Sequence, residues 1–298
     1  MNTADMTAKM AKGNGFIAAL DQSGGSTPKA LAGYGIEAGA WGSDDEMYGL
    51  IHAMRSRIIR SPAFDGSKVI GAILFERTMD GLVDGQPVPS ALIAKGIVPF
   101  IKIDKGLEDE ADGVQLMKPM PDLDALLEKS KALGVFGTKE RSVINAANAE
   151  GIAAVVAQQF AVGQQVIAHA MMPIIEPEVN IKSATRAECD TILRDEILKA
   201  LAAMPEGHKV MLKLSLPVVP GTYDALVDHP KVLRVVALSG GYARAEACAE
   251  LARNRGIIAS FSRALLEDLR FEMSEDEFDA ALGSAIDEIA AGSTVKTG

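Results

Sequence analysis

Eight short, nearly unbroken apolar runs recur along the chain, each followed by a charged or small polar residue and then a longer amphipathic segment. They are FIAAL (16–20), KVIGAILF (68–75), IVPFIKI (97–103), GVFGT (134–138), MMPIIEP (171–177), KVMLKLS (209–215), VLRVVAL (232–238) and GIIASFS (256–262). Runs this short and continuous predict strands buried on both faces, as in a parallel sheet.

The intervening segments carry helix signals. Ser43 with Glu46 predicts a capping box ahead of Met47, Ile51, Met54 and Ile58 at helical spacing. Thr185 with Glu188, and Ser274 with Glu277, predict the same arrangement further on. Gly134 and Gly256 stand where helix C-caps are expected. Eight strands alternating with helices predict an α/β fold, specifically a (β/α)8 TIM barrel. The rival is an open doubly wound sheet, which often carries a glycine-rich phosphate loop after its first strand. Here that strand runs into AALDQSGGST, with neither GxGxxG nor GxxxxGK[ST]. The first connection, roughly residues 22–67, is the longest and has room for an extra helix. No proline- or serine-rich linker divides the sequence, so residues 1–298 read as a single domain.

The length of 298 residues suits a barrel of about 250 residues with insertions. With 48% hydrophobic and 23% charged residues, a large core can be buried. The formal net charge of −10 argues against a nucleic-acid partner. Cys189 and Cys248 fall in predicted helices without metal-ligand spacing and read as free thiols of a reducing compartment. MNTADMTAKMAKGNG has no apolar signal region, and no stretch approaches the 18 or so apolar residues of a membrane span. The expectation is a cytoplasmic protein without a membrane partner.

Charged and polar residues cluster where the predicted strands end. Asp21, Glu76, Lys102 with Asp104, Lys139 with Arg141, Glu176 with Glu178, and Lys213 follow the first six runs in order. Ser239, Gly240 and Gly241 follow the seventh, and Ser260 and Arg263 the eighth. Active sites of TIM barrels are built on that rim, and charge inside an apolar strand is costly unless paired or used. Strand periodicity puts Lys102 with Asp104, Glu176 with Glu178, and an extended Lys139 with Arg141 on common faces.

Lys213 interrupts VMLKLSLP. It reads equally as an imine-forming amine, kept neutral by burial and by cations such as Lys139, or as a lysine paired with a carboxylate. Glu176 reads as a general acid–base or as the counter-ion of Lys213 or Lys139. Asp21 could equally be an N-cap in the turn DQSGGS. The SGG segment offers backbone N–H donors for a phosphate, and Arg263 lies where barrels often bind one. The four histidines show no HxH or HExxH spacing, so no metal is expected, and Trp41 with the tyrosines forms no base-stacking platform.

Taken in order and spacing, FIAALDQSGGSTPKAL, ILFERTMDG, GIVPFIKIDKGLE, GVFGTKERSVI, IIEPEVNI, VMLKLSLP, VVALSGGYAR and ASFSRALL resemble class I fructose-bisphosphate aldolases of the shorter bacterial type, over nearly the whole chain. The resemblance implies reversible cleavage of fructose 1,6-bisphosphate in glycolysis and gluconeogenesis, through a lysine Schiff base and without a cofactor. It implies that Lys213 is the Schiff-base lysine and Glu176 the acid–base that dehydrates the carbinolamine. Asp21 resembles the residue that takes the C4 hydroxyl proton, and Lys139 a lysine that contacts substrate. Ser239, Gly240, Gly241 and Arg263 resemble the C1-phosphate pocket. Ser26, Lys102 and Arg141 resemble contacts to the C6 phosphate or nearby hydroxyls, with Ser23 and Ser260 as secondary contacts. Two departures stand out: the sequence ends GSTVKTG, without the terminal tyrosine of the longer animal enzymes, and Ala30 stands where they carry an arginine. An aldolase for another phosphorylated ketose, or a non-catalytic sugar-phosphate-binding protein, fits the same features. A homo-oligomer is compatible with them.

Overall fold

The computed structural model describes residues 1–297. Eight strands form the wall of a barrel: β1 Phe16–Leu20, β2 Val69–Leu74, β3 Val98–Lys102, β4 Gly137–Ile144, β5 Met172–Val179, β6 Val210–Ser215, β7 Val232–Leu238 and β8 Ile258–Ala259. They pair in chain order, each parallel to the next. The seam between last and first is bridged by the Ala19 N–H donating to the Phe261 carbonyl at 3.1 Å. This is the expected (β/α)8 barrel.

Twelve α-helices accompany the strands among the described residues: α1 Thr3–Lys12, α2 Ser26–Gly33, α3 Asp44–Arg60, α4 Glu76–Met79, α5 Val88–Ala94, α6 Leu123–Ala132, α7 Ala149–Ala168, α8 Arg186–Ala203, α9 Asp224–Val227, α10 Arg244–Ala252, α11 Arg263–Leu266 and α12 Glu275–Thr294. The long first connection holds two of them, α2 and α3. Between β2 and α5 lies a two-stranded hairpin, Leu82–Val83 with Gln86–Pro87.

Strand alternation sorts the wall into two faces. One face packs under the helices in the larger core cluster. The other, with Ile17, Ala19, Phe100, Ile174, Met211, Val236 and Ile258, fills the barrel interior. One further step of two residues toward the C-terminal end turns this apolar layer polar: from Ala19 to Asp21, Phe100 to Lys102, Ile174 to Glu176, Met211 to Lys213 and Ile258 to Ser260. The same periodicity that builds the core therefore delivers the charges to the mouth. Gly137 lets β4 close against its neighbours, because a β-carbon there would sit 2.1 Å from the Met172 carbonyl oxygen and 2.9 Å from the Phe100 ring.

The opposite end is stoppered by α1. Its start is fixed by a capping box in which Asn2 and Asp5 satisfy each other's backbone N–H. Met6 and Met10 project into the interior cluster. Arg234 donates to the Ala11 and Gly13 carbonyls at 2.8 Å each, and Lys9 donates to the Gly66 and Gly96 carbonyls at 2.7 and 2.6 Å. The Arg234 bonds use up carbonyls at the end of α1 that would otherwise lack partners, and the Lys9 bonds tie the helix to the loops before β2 and β3.

Several expectations need correction. The fourth strand is not 134–138 but runs from Gly137 to Ile144, so Lys139 and Arg141 lie within it. Gly134, at φ 83°, instead closes the α6 turn, as the C-cap reading expected. The eighth strand shrinks from 256–262 to two residues, since its outward neighbours turn directly into α11. Thr185 precedes α8 but caps nothing, because its hydroxyl accepts from the Ala147 N–H at 2.9 Å. At Ser43 only half the box forms: its hydroxyl accepts from the Glu46 N–H, while the Glu46 carboxylate takes the Gly42 N–H. The box at Ser274 and Glu277 is complete. One helix, α7, is long and apolar enough to cross a membrane, contrary to the sequence expectation. Its buried stripe of Ile152, Val155, Val156, Phe160 and Val166 belongs to the barrel core, which accounts for its composition.

Candidate active site

A cavity of about 1260 Å³ opens at the C-terminal mouth. Asp21, Ser23, Ser26, Lys102, Lys139, Arg141, Glu176, Lys213, Ser239, Gly240, Gly241, Ser260 and Arg263 all border it, so the structure brings every candidate residue into one space.

Its floor is a chain of ion pairs that links the neighbouring strands β4, β5 and β6 and reaches across the mouth to the end of β1. Lys213 Nζ lies 2.9 Å from Glu176 Oε1, Lys139 Nζ lies 2.9 Å from Glu176 Oε2, and the same amine lies 2.7 Å from Asp21 Oδ2. All four side chains are buried. Lys213 is paired with the Glu176 carboxylate, and that carboxylate faces both lysines, an arrangement compatible with either reading of each residue. The amine of Lys213 touches a carboxylate rather than a cation, and Lys139 sits on that carboxylate's far oxygen. Asp21 caps no helix; Gly25 precedes α2 and makes no side-chain cap.

The protonation of this chain follows from burial and charge. Burial opposes ionisation of Asp21, but Lys139, Lys213 and Lys102 outweigh it and hold its carboxyl well below the usual carboxylate range. Glu176 is likewise desolvated yet held below its ordinary value by Lys139 and Lys213. Burial would deprotonate Lys139, but Asp21, Glu176 and Asp104 raise it above the usual lysine range. At rest Lys139 is therefore a cation between two ionised carboxylates.

Around the floor, Lys102 donates to Asp104 Oδ1 at 2.6 Å, and the second Asp104 oxygen lies 3.9 Å from Lys139. Arg141 is paired with Glu178. Four cations thus face four carboxylates. Arg263 has no carboxylate partner among the described residues. Its guanidinium lies against Gly241, where a β-carbon would come within 3.1 Å of Nη2. Gly240 and Gly241 adopt φ 61° and 115°, which suits glycine, just ahead of α10. Backbone donors and a free guanidinium there form a cradle for an anion. The buried Ser260 hydroxyl is also without a partner among the described residues.

Across the mouth, the Ser23–Ser26 loop is self-braced. Ser26 Oγ donates to the Ser23 carbonyl at 2.7 Å and accepts the Ser23 N–H at 2.9 Å. Ser26 therefore shapes the loop, leaving Gly24 and Gly25 open toward the cavity.

Sequence reasoning named Asp104 and Glu178 as rim charges without assigning them to the site, although period two from Lys102 and Glu176 predicted their position. It missed Gln22 and Arg55 altogether. Arg55 stands four residues after Ile51 on the buried stripe of α3, and a charge at that spacing was the available signal. Glu140, between Lys139 and Arg141, faces outward from the barrel and is fully buried. Desolvation, with Asp104 nearby, raises its carboxyl well above the ordinary range.

The family model described as Glycolytic, fructose-bisphosphate aldolase class-I, matches residues 2–221. A Synechocystis protein named fructose-bisphosphate aldolase class 1 is 53% identical over 282 residues, covering 94% of each chain. Among solved structures, the fructose-bisphosphate aldolase of Plasmodium falciparum superposes with a TM-score of 0.80 at 18% identity, covering 99% of this chain and 96% of that one. A Corynebacterium glutamicum protein superposes with a TM-score of 0.56 at 13% identity, covering 97% and 92%. These two likenesses concern the barrel alone.

Proposed function

The chain belongs to the class I fructose-bisphosphate aldolases, carbon–carbon lyases of glycolysis, and we propose that it cleaves fructose 1,6-bisphosphate through a Schiff base on Lys213, acting as one domain over residues 1–298. The observation that carries this reading is the buried chain Lys213–Glu176–Lys139–Asp21, with contacts of 2.9, 2.9 and 2.7 Å.

Glu176 accepts a proton from Lys213 across their contact, leaving a neutral amine to attack the C2 ketone. The same carboxyl returns the proton to the carbinolamine hydroxyl, and water leaves. The protonated imine becomes the electron sink for the next step. At rest Lys139 holds Asp21 ionised but weakly basic. When Lys139 turns its hydrogen bonds to the substrate, Asp21 loses its partner and becomes a better base for the C4 hydroxyl proton. The C3–C4 bond then breaks, glyceraldehyde 3-phosphate leaves, and the enamine is protonated and hydrolysed to dihydroxyacetone phosphate. No cofactor has a part in this scheme.

Two anion sites at opposite walls position the scissile bond. Ser239, Gly240, Gly241 and Arg263 hold the C1 phosphate. The Ser23–Ser26 loop, Lys102 and Arg141 hold the C6 phosphate or nearby hydroxyls, and Ser260 adds a hydroxyl donor. The partner is thus a small phosphosugar. The acidic net charge disfavours nucleic acid, no membrane is involved, the setting is cytoplasmic, and assembly into homo-oligomers is compatible with the barrel's exterior.

Borohydride added with dihydroxyacetone phosphate traps a covalent adduct, which mass spectrometry places on Lys213. An adduct on another lysine, or activity lost to a chelator and restored by zinc, overturns the reading.

A further inference from the structure

Behind the loop that follows β1 lies a guanidinium with no carboxylate in contact among the described residues. Arg55, from α3, is 0% exposed. Its Nη1 donates to Thr78 Oγ1 at 2.7 Å. Its Nη2 donates to the Gln22 carbonyl at 2.6 Å and to Gln22 Oε1 at 3.0 Å. Its Nε has no partner among the described residues. Burying an arginine without a bonded counter-ion is unfavourable, so its retention calls for a physical reason.

The bonds supply one. Thr78 lies in α4, just after β2. Gln22 is the residue after Asp21, and its Nε2 donates to Ser262 Oγ at 2.6 Å and to the Ala19 carbonyl at 3.3 Å. Ser262 directly precedes Arg263 at the start of α11. One planar fork thus fixes the loop after β1, the turn after β2 and, through Gln22, the loop after β8. Burial brings the Arg55 guanidinium down to about 10, so it stays charged at neutral pH, and the Asp21 carboxylate lies near enough to favour that charge.

We propose that Arg55 is a positioning residue that, through Gln22 and Ser262, sets the Asp21 carboxylate and holds the Ser23–Ser26 and Arg263 anion sites at a fixed separation. The proposal rests on the reading of Asp21 as the base for C3–C4 cleavage. Arg55 touches no substrate. Its effect falls on the step that needs Asp21 and two anchored phosphates, and spares imine formation at Lys213, which needs Glu176.

The test compares two steps in Arg55→Gln and Arg55→Lys. In Arg55→Gln, kcat for cleavage of the bisphosphate falls about a hundredfold, the scale of a 1 Å misplacement, while borohydride trapping with dihydroxyacetone phosphate keeps the wild-type rate. Arg55→Lys, which keeps the charge and part of the fork, recovers part of the loss. Ser262→Ala, which leaves no buried charge uncompensated, raises KM for the bisphosphate more than it lowers kcat. A folded Arg55→Gln that cleaves at the wild-type rate, or loses trapping and cleavage in equal proportion, overturns the proposal. Should Arg55→Gln fail to fold, Gln22→Ala and Ser262→Ala carry the test, and unchanged kcat and KM in both overturns it. Full cleavage by Asp21→Asn would instead refute the reading of Asp21, separately from Arg55.

Discussion

Lys139 of β4 and Asp21, just past β1, meet at 2.7 Å on the far side of Glu176 from Lys213. The amine of Lys139 keeps the two carboxylates apart and sets the charge of each. Lys139→Met leaves two buried carboxylates facing each other, so imine formation and cleavage both suffer. Asp21→Asn keeps the Lys139–Glu176 contact and loses cleavage alone. We expect kcat to fall by about 10²–10⁴-fold in each, with adduct trapping retained only in Asp21→Asn. Equal trapping in the two variants would refute the division of labour.

The anion cradle is tested at Gly241. Alanine there meets both an unfavourable φ of 115° and the Arg263 guanidinium at 3.1 Å. Gly241→Ala should raise KM for the bisphosphate by about tenfold or more, with kcat changed less, from the loss of charge-assisted bonds worth about 1.5–3 kcal/mol. Arg263→Ala should raise KM for fructose 1,6-bisphosphate about 10–100-fold on the same scale. A substrate lacking the C1 phosphate should be nearly indifferent to either change. Equal losses on both substrates would place the C1 phosphate elsewhere.

The pH dependence of stability has two opposing parts. Asp21 and Glu176 have folded values below their unfolded ones. Their contribution is therefore full above about pH 4 and is lost as pH falls through the lower folded values. Asp21→Asn should flatten the acid limb of a melting-temperature profile, and an unchanged acid limb would contradict the assignment.

Glu140 runs the other way. Its folded value is raised, so it costs stability as pH rises above about 4.3, at up to ~1.4 kcal/mol per pH unit, until the folded value is reached. Glu140→Gln mimics the protonated acid. It should match the parent near pH 4 and become more stable than it by pH 8, with turnover nearly unchanged. A constant difference across the range would mean that Glu140 is ionised in the folded protein.

The barrel and most of its mouth were legible because one rule, alternation along a strand, generates both. Apolar residues at Ala19, Phe100, Ile174 and Met211 announce buried strands, and the next step of two lands on Asp21, Lys102, Glu176 and Lys213. The limits of the fourth and eighth strands were harder, because KERSVI is polar enough to read as a loop while SFS continues the apolar run GIIA as if still in the strand. Pairing with β3 and β5, not local pattern, makes the first extended. Thr185 shows the same limit at a helix end: its hydroxyl had a tertiary partner at Ala147 that no local motif announces. Arg55 was hidden for a related reason, since its bonds to Gln22 and Thr78 join segments far apart in sequence.

With Met6 and Met10 wedged into its base, the barrel is a cup rather than a tube. Ketose, both triose products and every water molecule consumed or released then share one doorway. In the proposed reaction traffic is consequently single-file: the second triose, tethered to Lys213, would wait below while the first departs past the two anion cradles.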